Sequence, residues 1–108
     1  VFCYAADAVA GFYRILLSDN NGEVYNLFNN NGRASVKELA NIIISSVPER
    51  RLKVIFSERG PNERYIESDL IKGKIPVYDT SKLDALGWNC KYSVKEGFYR
   101  TLNSFEET

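Results

Sequence analysis

Tyr78 and Lys82 stand four residues apart, the spacing at which a lysine can lower a tyrosine's pKa and make it a general acid/base. The pair would have to share a helix face to do so. Asp79 reads as the cap of the helix that carries Lys82, so Tyr78 falls outside that helix and the two do not share a face. The glycine-rich strand-to-helix turn that cradles a dinucleotide pyrophosphate is also missing. The tyrosine–lysine pair therefore reads as packing near a helix start, and no catalytic residue is assigned.

A second group is cationic. Arg59, Arg64, Lys72 and Lys74 fall in one irregular stretch. A diphosphate needs fixed cations, and an arginine grips it with two parallel hydrogen bonds where a lysine offers a point charge. Charge alone favours a solvated loop, because surface cations are common. Tyr25 and Asn26 precede a run of asparagines and could offer an amide to a sugar or a base, although asparagine also simply builds turns. Trp88, after Leu86 and Gly87, could stack on a ligand; such a residue more often fastens a helix end to the core.

Metals find little here. The chain has no histidine and two cysteines, Cys3 and Cys90, with no metal-ligand spacing between them. Two thiols make no disulfide framework, and Cys3, in an apolar run, reads as a small buried residue. A reducing, cytoplasmic setting is the expectation. Fourteen basic residues balance fourteen acidic ones, which argues against a general nucleic-acid or anionic-membrane binder. No run of about 20 apolar residues is present to span a membrane, and no secretion leader is recognisable.

The elements that must position these groups follow from periodicity. Val1–Tyr4, Glu23–Phe28 and Leu52–Phe56 are rich in β-branched and aromatic residues and read as strands. From Asp7 the period changes: Val9, Phe12, Tyr13, Leu16 and Leu17 fall on one helix face, and Asp19–Gly22 is a turn. Ser35 to Glu38 is a capping box opening a helix to about Val47, with Val36, Leu39, Ala40, Ile43 and Val47 as its buried stripe. Ser57–Tyr78 is the least regular region and the first place to look for function. Thr80–Leu86 reads as a short helix closed by Gly87, and Ser93 to Glu96 is a second capping box for a last helix to about Phe105. The expected fold is a small mixed α/β domain, about three strands covered by about four helices. With 108 residues and 44% apolar content, one domain is expected. The chain has no methionine and opens inside a strand-like run, so it is expected to be a piece of a longer protein.

Taken in order, these pieces resemble the C-terminal, substrate-binding part of the NAD-dependent nucleotide-sugar epimerase/dehydratase family, the extended short-chain dehydrogenases. Phe2 to Val9 is similar to the family's Arg-x-Phe-x-Tyr-Val-x-Asp-x-Ala segment. Gly22 to Leu27 is similar to its Gly-x-x-Tyr-Asn-Ile-Gly strand, and Ser35 to Leu39 to the helix start that follows. Asp79 to Trp88 and Ser93 to Leu102 resemble its Pro-Asp-x-Ser-Lys, Leu-Gly-Trp and final-helix motifs. Four departures stand out: Phe28 replaces a glycine, Lys74 an arginine and Cys90 a common proline, and Val77 and Tyr78 intervene where a proline usually abuts the aspartate.

The resemblance implies a nucleotide-diphosphate sugar as ligand, with Arg64 and Lys74 toward the phosphates and Tyr25 and Asn26 edging the pocket. It also implies NAD on a separate N-terminal Rossmann domain that this chain lacks. In isolation the chain would then be non-catalytic. The competing expectation is a non-catalytic interaction or structural domain with no assembled pocket.

Overall fold

A computed structural model describes residues 1–62 and 77–106. Among the described residues there are four α-helices, α1 (Ala5–Leu16), α2 (Val36–Ser46), α3 (Ser81–Ala85) and α4 (Val94–Glu106), with a 3-10 turn at Pro48–Arg50 after α2. Among the described residues there is no strand, so the expected mixed α/β domain is overturned in favour of helices joined by irregular chain.

The three failed strands share one cause. β-propensity describes how a residue fits a pleated, half-buried surface, and that surface needs a partner backbone. Val24, Ile55 and Phe56 are 80%, 85% and 74% exposed, so no neighbouring layer covers them. At the N-terminus a single backbone bond runs from Phe2 N–H to the Gly32 carbonyl (2.7 Å), with no ladder beyond it. Gly32 suits that position, where a Cβ would run into the Phe2 carbonyl oxygen.

The helices form where local signals are strongest. Ser35 Oγ accepts from Glu38 N–H (3.1 Å), and Glu38 Oε2 accepts from Ser35 N–H (2.7 Å), completing the first capping box. The backbone amide of Ser35 holds the Glu38 carboxyl below its ordinary pKa. The same reciprocal pair forms between Ser93 and Glu96 at the start of α4. Helix α2 packs against α4, and α1 against α3. On α2, Leu39, Ala40 and Ile43 are half-buried and Val36 is exposed, while Val47, just past the helix end, is buried.

Helix α3 ends in a Schellman motif. Trp88 N–H bonds to the Leu83 carbonyl (3.3 Å) and Gly87 N–H to the Asp84 carbonyl (2.9 Å), with Gly87 at φ +84°. The expected Asp79 cap is displaced by one residue: Thr80 is the N-cap, and Asp79 Oδ1 accepts from Ser81 N–H (2.9 Å). Replacing Gly87 by alanine forces a Cβ into the left-handed region. Gly87→Ala is expected to destabilise the chain by about 1–2 kcal/mol in urea unfolding, and Gly87→Asn by less.

The apolar core is thin. Among the described residues the buried hydrophobic side chains are Val47, Leu83 and Trp88, and Leu83 alone of these is fully enclosed. The Cα radius of gyration is 17.4 Å, against roughly 13 Å for a compact domain of this length. The periodic face of α1 illustrates the consequence. Val9, Phe12, Tyr13, Leu16 and Leu17 do share one side, and it points to solvent, with Leu17 80% exposed. The inward side of α1 carries Asp7 and Gly11 instead.

Candidate functional site

Two clusters hold the chemistry-bearing residues. The first surrounds Tyr25–Asn30 and Val77–Lys82. Asn26 Nδ2 donates to the Asp79 carbonyl (3.0 Å), and Asn30 Nδ2 donates to the Tyr78 carbonyl (2.9 Å). Tyr78 N–H returns a bond to Asn30 Oδ1 (3.3 Å). The Phe28 and Tyr78 rings stack with centroids 3.9 Å apart. Asparagine amides thus do what a ladder would have done, fixing two extended segments side by side through side chains.

Tyr25 and Asn26 therefore lie beside the segment that leads into α3. Tyr25 is half-buried and Asn26 is exposed. Arg64 and Lys74, the two cations assigned to phosphates, lie outside the described residues, as does Lys72. Arg59 is exposed.

Lys82 has a different partner from Tyr78. Its Nζ donates to Glu23 Oε2 (2.8 Å) and to the Val24 carbonyl (3.4 Å). The hydrogen bond and charge of each partner raise the Lys82 pKa and lower that of Glu23. Both side chains are more than half exposed, so solvent screening leaves the pair little net stabilisation. Tyr78 precedes α3 and lies on Phe28, so the tyrosine–lysine spacing assembles no acid/base pair. Asp79, hydrogen-bonded by the Ser81 hydroxyl and amide, is held below its ordinary pKa.

The second cluster was not anticipated. Asp7 is 3% exposed. Its two carboxylate oxygens accept from Lys91 N–H (3.1 Å) and Tyr92 N–H (3.0 Å), while its own carbonyl accepts from Trp88 Nε1 (2.8 Å). One residue on α1 therefore anchors the whole connection between α3 and α4. Gly11, one turn on, lets the indole come close: a Cβ there would meet Trp88 Nε1 at 3.1 Å and Leu27 Cδ1 at 2.6 Å. From sequence alone Asp7 is an acid in the first helical turn, where a negative charge favours the helix N-terminus. The available signal was a carboxylate embedded among Tyr4, Ala8 and Gly11, a position that burial tolerates only when the charge is satisfied.

Beside this anchor lies a cleft of about 220 Å³, lined by Phe2, Tyr4, Tyr92, Val94 and Phe98 among others. The Phe2 and Phe98 rings meet edge-on at 5.9 Å, and Tyr4 and Tyr92 at 5.0 Å. Gly97 makes room, since a Cβ there would sit 3.1 Å from the Tyr4 ring. Cys3 and Cys90 meet at this edge with their sulfurs 3.9 Å apart. Among the described residues no group of three or more His, Cys, Asp or Glu could hold a metal ion. Among them, too, no strand runs into a glycine-rich turn and helix. No helix among them is long and apolar enough to cross a membrane.

Comparison with known proteins gives one consistent likeness. The chain is 29% identical over 106 residues to the dTDP-D-glucose 4,6-dehydratase of Bos taurus, and 29% identical over 106 residues to that of Homo sapiens. Each alignment covers 98% of this chain and 29% of the relative, so the chain spans under a third of the length of the curated relatives it matches. No protein-family model matches the chain. No solved structure matches it.

Proposed function

We propose that this chain is the substrate-holding part of a nucleotide-sugar dehydratase or epimerase, binding a dTDP- or UDP-sugar while another domain does the chemistry. The observation that carries this reading is the alignment with two dTDP-D-glucose 4,6-dehydratases, which runs through 98% of the chain. It fits the motif order seen in the sequence, from Phe2–Val9 through Leu86–Trp88 to the last helix.

In this reading Arg64 and Lys74 neutralise the diphosphate, Arg64 as a two-pronged donor and Lys74 as a point charge. Tyr25 and Asn26 edge the sugar or base. NAD, if used by the whole enzyme, would supply hydride removal and return from a Rossmann domain outside these residues. The chain's own residues hold the nucleotide and orient it. The exposed apolar side of α1 is consistent with a chain that works against another body.

The test is calorimetry of the chain with dTDP-glucose and UDP-glucose. Binding at about millimolar affinity is expected, weakened about tenfold by Arg64→Ala, the loss of one charge-assisted contact. Turnover should be absent even with NAD added. Heat that Arg64→Ala leaves unchanged would reject the phosphate assignment.

A second reading, a non-catalytic interaction domain, draws on one observation. The Asn26 amide nitrogen is already bonded to the Asp79 carbonyl, which leaves less of this side chain for a ligand. No heat with either nucleotide sugar would favour it.

A further inference from the structure

Cys3 and Cys90 are separated by 87 positions in sequence, and their sulfurs stand 3.9 Å apart. Both are half-buried, and both stand on backbone fixed by its neighbours. On one side, Phe2 N–H is bonded to Gly32, Asn29 Nδ2 donates to the Phe2 carbonyl, and the Tyr4 ring packs on Tyr92. On the other, Trp88 is held by the Asp7 carbonyl, and the Lys91 amide by the Asp7 carboxylate. Cys90 therefore lies between two anchored positions, facing a thiol whose own flanks are anchored.

We propose that Cys3 and Cys90 form a dithiol/disulfide couple, a modification site at which oxidation ties the N-terminal segment to the loop between α3 and α4. The oxidant is a small disulfide such as oxidised glutathione. One cysteine, as thiolate, attacks a glutathione sulfur; the glutathione S–S bond breaks and one glutathione thiolate leaves. The second cysteine then attacks the protein sulfur of the mixed disulfide and expels the other glutathione. The protein gives up two electrons and two protons, and glutathione disulfide takes them up as two thiols.

Burial of the sulfurs raises both pKa values, with Cys90 pushed up to about 12, so the pair rests as thiols at neutral pH. The first exchange is accordingly slow. The second is intramolecular between groups already in contact, so the mixed disulfide should resolve rather than persist. The same closeness argues against reading the two residues as unrelated core fillers. Closing the bond would pin the residues on either side of the Asp7 anchor and so stiffen the junction of α1 with the α3–α4 loop.

The native chain should be equilibrated in glutathione buffers of rising oxidised-to-reduced ratio, alkylated, and read by intact mass and peptide mapping. Both free thiols are expected to disappear together, with loss of two hydrogens, no retained glutathione, and a peptide linking residues 3 and 90. In urea the yield of that linked peptide should fall, because the two sulfurs are then no longer held together. Cys3→Ser should leave Cys90 able only to form a glutathione adduct or stay free. Two glutathione adducts per native chain, a link mainly between chains, or thiols that stay free at the most oxidising ratio would overturn the proposal.

Discussion

Asp7→Ala is expected to destabilise the chain by about 3 kcal/mol, a shift of roughly two orders of magnitude in its unfolding equilibrium. Asp7 is 3% exposed, and its carboxylate satisfies two backbone amides, those of Lys91 and Tyr92. Removing it deletes two charge-assisted bonds and leaves two partly buried N–H groups without an acceptor, which is the expensive way to lose a hydrogen bond. Asp7→Asn should also be costly, because one of its two acceptors becomes a donor facing a donor. The Trp88 bond survives both changes, since it is made to the main-chain carbonyl. Urea unfolding against an Asp19→Asn control, which is exposed, provides the measurement. A loss below about 1 kcal/mol would mean the bonds are worth no more than surface contacts.

The same residue shows what sequence could and could not reveal. Helix starts were legible because a capping box is complete within four residues: Ser35 with Glu38, and Ser93 with Glu96, carry their own partners. The end of α3 was legible for the same reason, through Gly87. Asp7 differs, since its partners lie more than 80 positions away. Local reading could assign it only the weak electrostatic role open to any acid in a first helical turn. Spacing in sequence says nothing about Cys3 and Cys90, whose segments are brought together by the Asp7 bonds to Lys91 and Tyr92.

Strand readings failed at the level where a strand is defined. Residues such as Val24 and Ile55 have the right chemistry, but a ladder requires a second backbone in register. Around Asn26 and Asn30 the chain does run beside Tyr78 and Asp79, yet amide side chains make the connections. The asparagine run, read as a turn, supplies those amides. For the site, Tyr25 and Asn26 are brought beside the segment leading into α3, and Arg64 and Lys74 lie outside the described residues. The apolar face of α1 was found by its period, but period identifies a face without saying what covers it.

Leu83→Ala is expected to cost about 3 kcal/mol and to alter the environment of Trp88 as well. Leu83 is 0% exposed and Trp88 5% exposed, and the two are joined by the Schellman bond from Trp88 N–H to the Leu83 carbonyl. Truncating the leucine leaves a cavity where the core has little else to fill it, Val47 being the other buried hydrophobic side chain described. Trp88 is the chain's single tryptophan, so its fluorescence reports on this position alone. A shift of the native emission to longer wavelength should accompany the lost stability as water reaches the indole. Stability lost without any spectral change would separate Leu83 from the indole and contradict a shared packing unit. Asp7 also holds this indole, its main-chain carbonyl accepting from Trp88 Nε1. Asp7→Ala leaves that carbonyl in place, so the double variant Asp7→Ala/Leu83→Ala should equal the sum of the single changes within about 0.5 kcal/mol, and a larger departure would mean that the bonds to Lys91 and Tyr92 and the Leu83 core act as one unit.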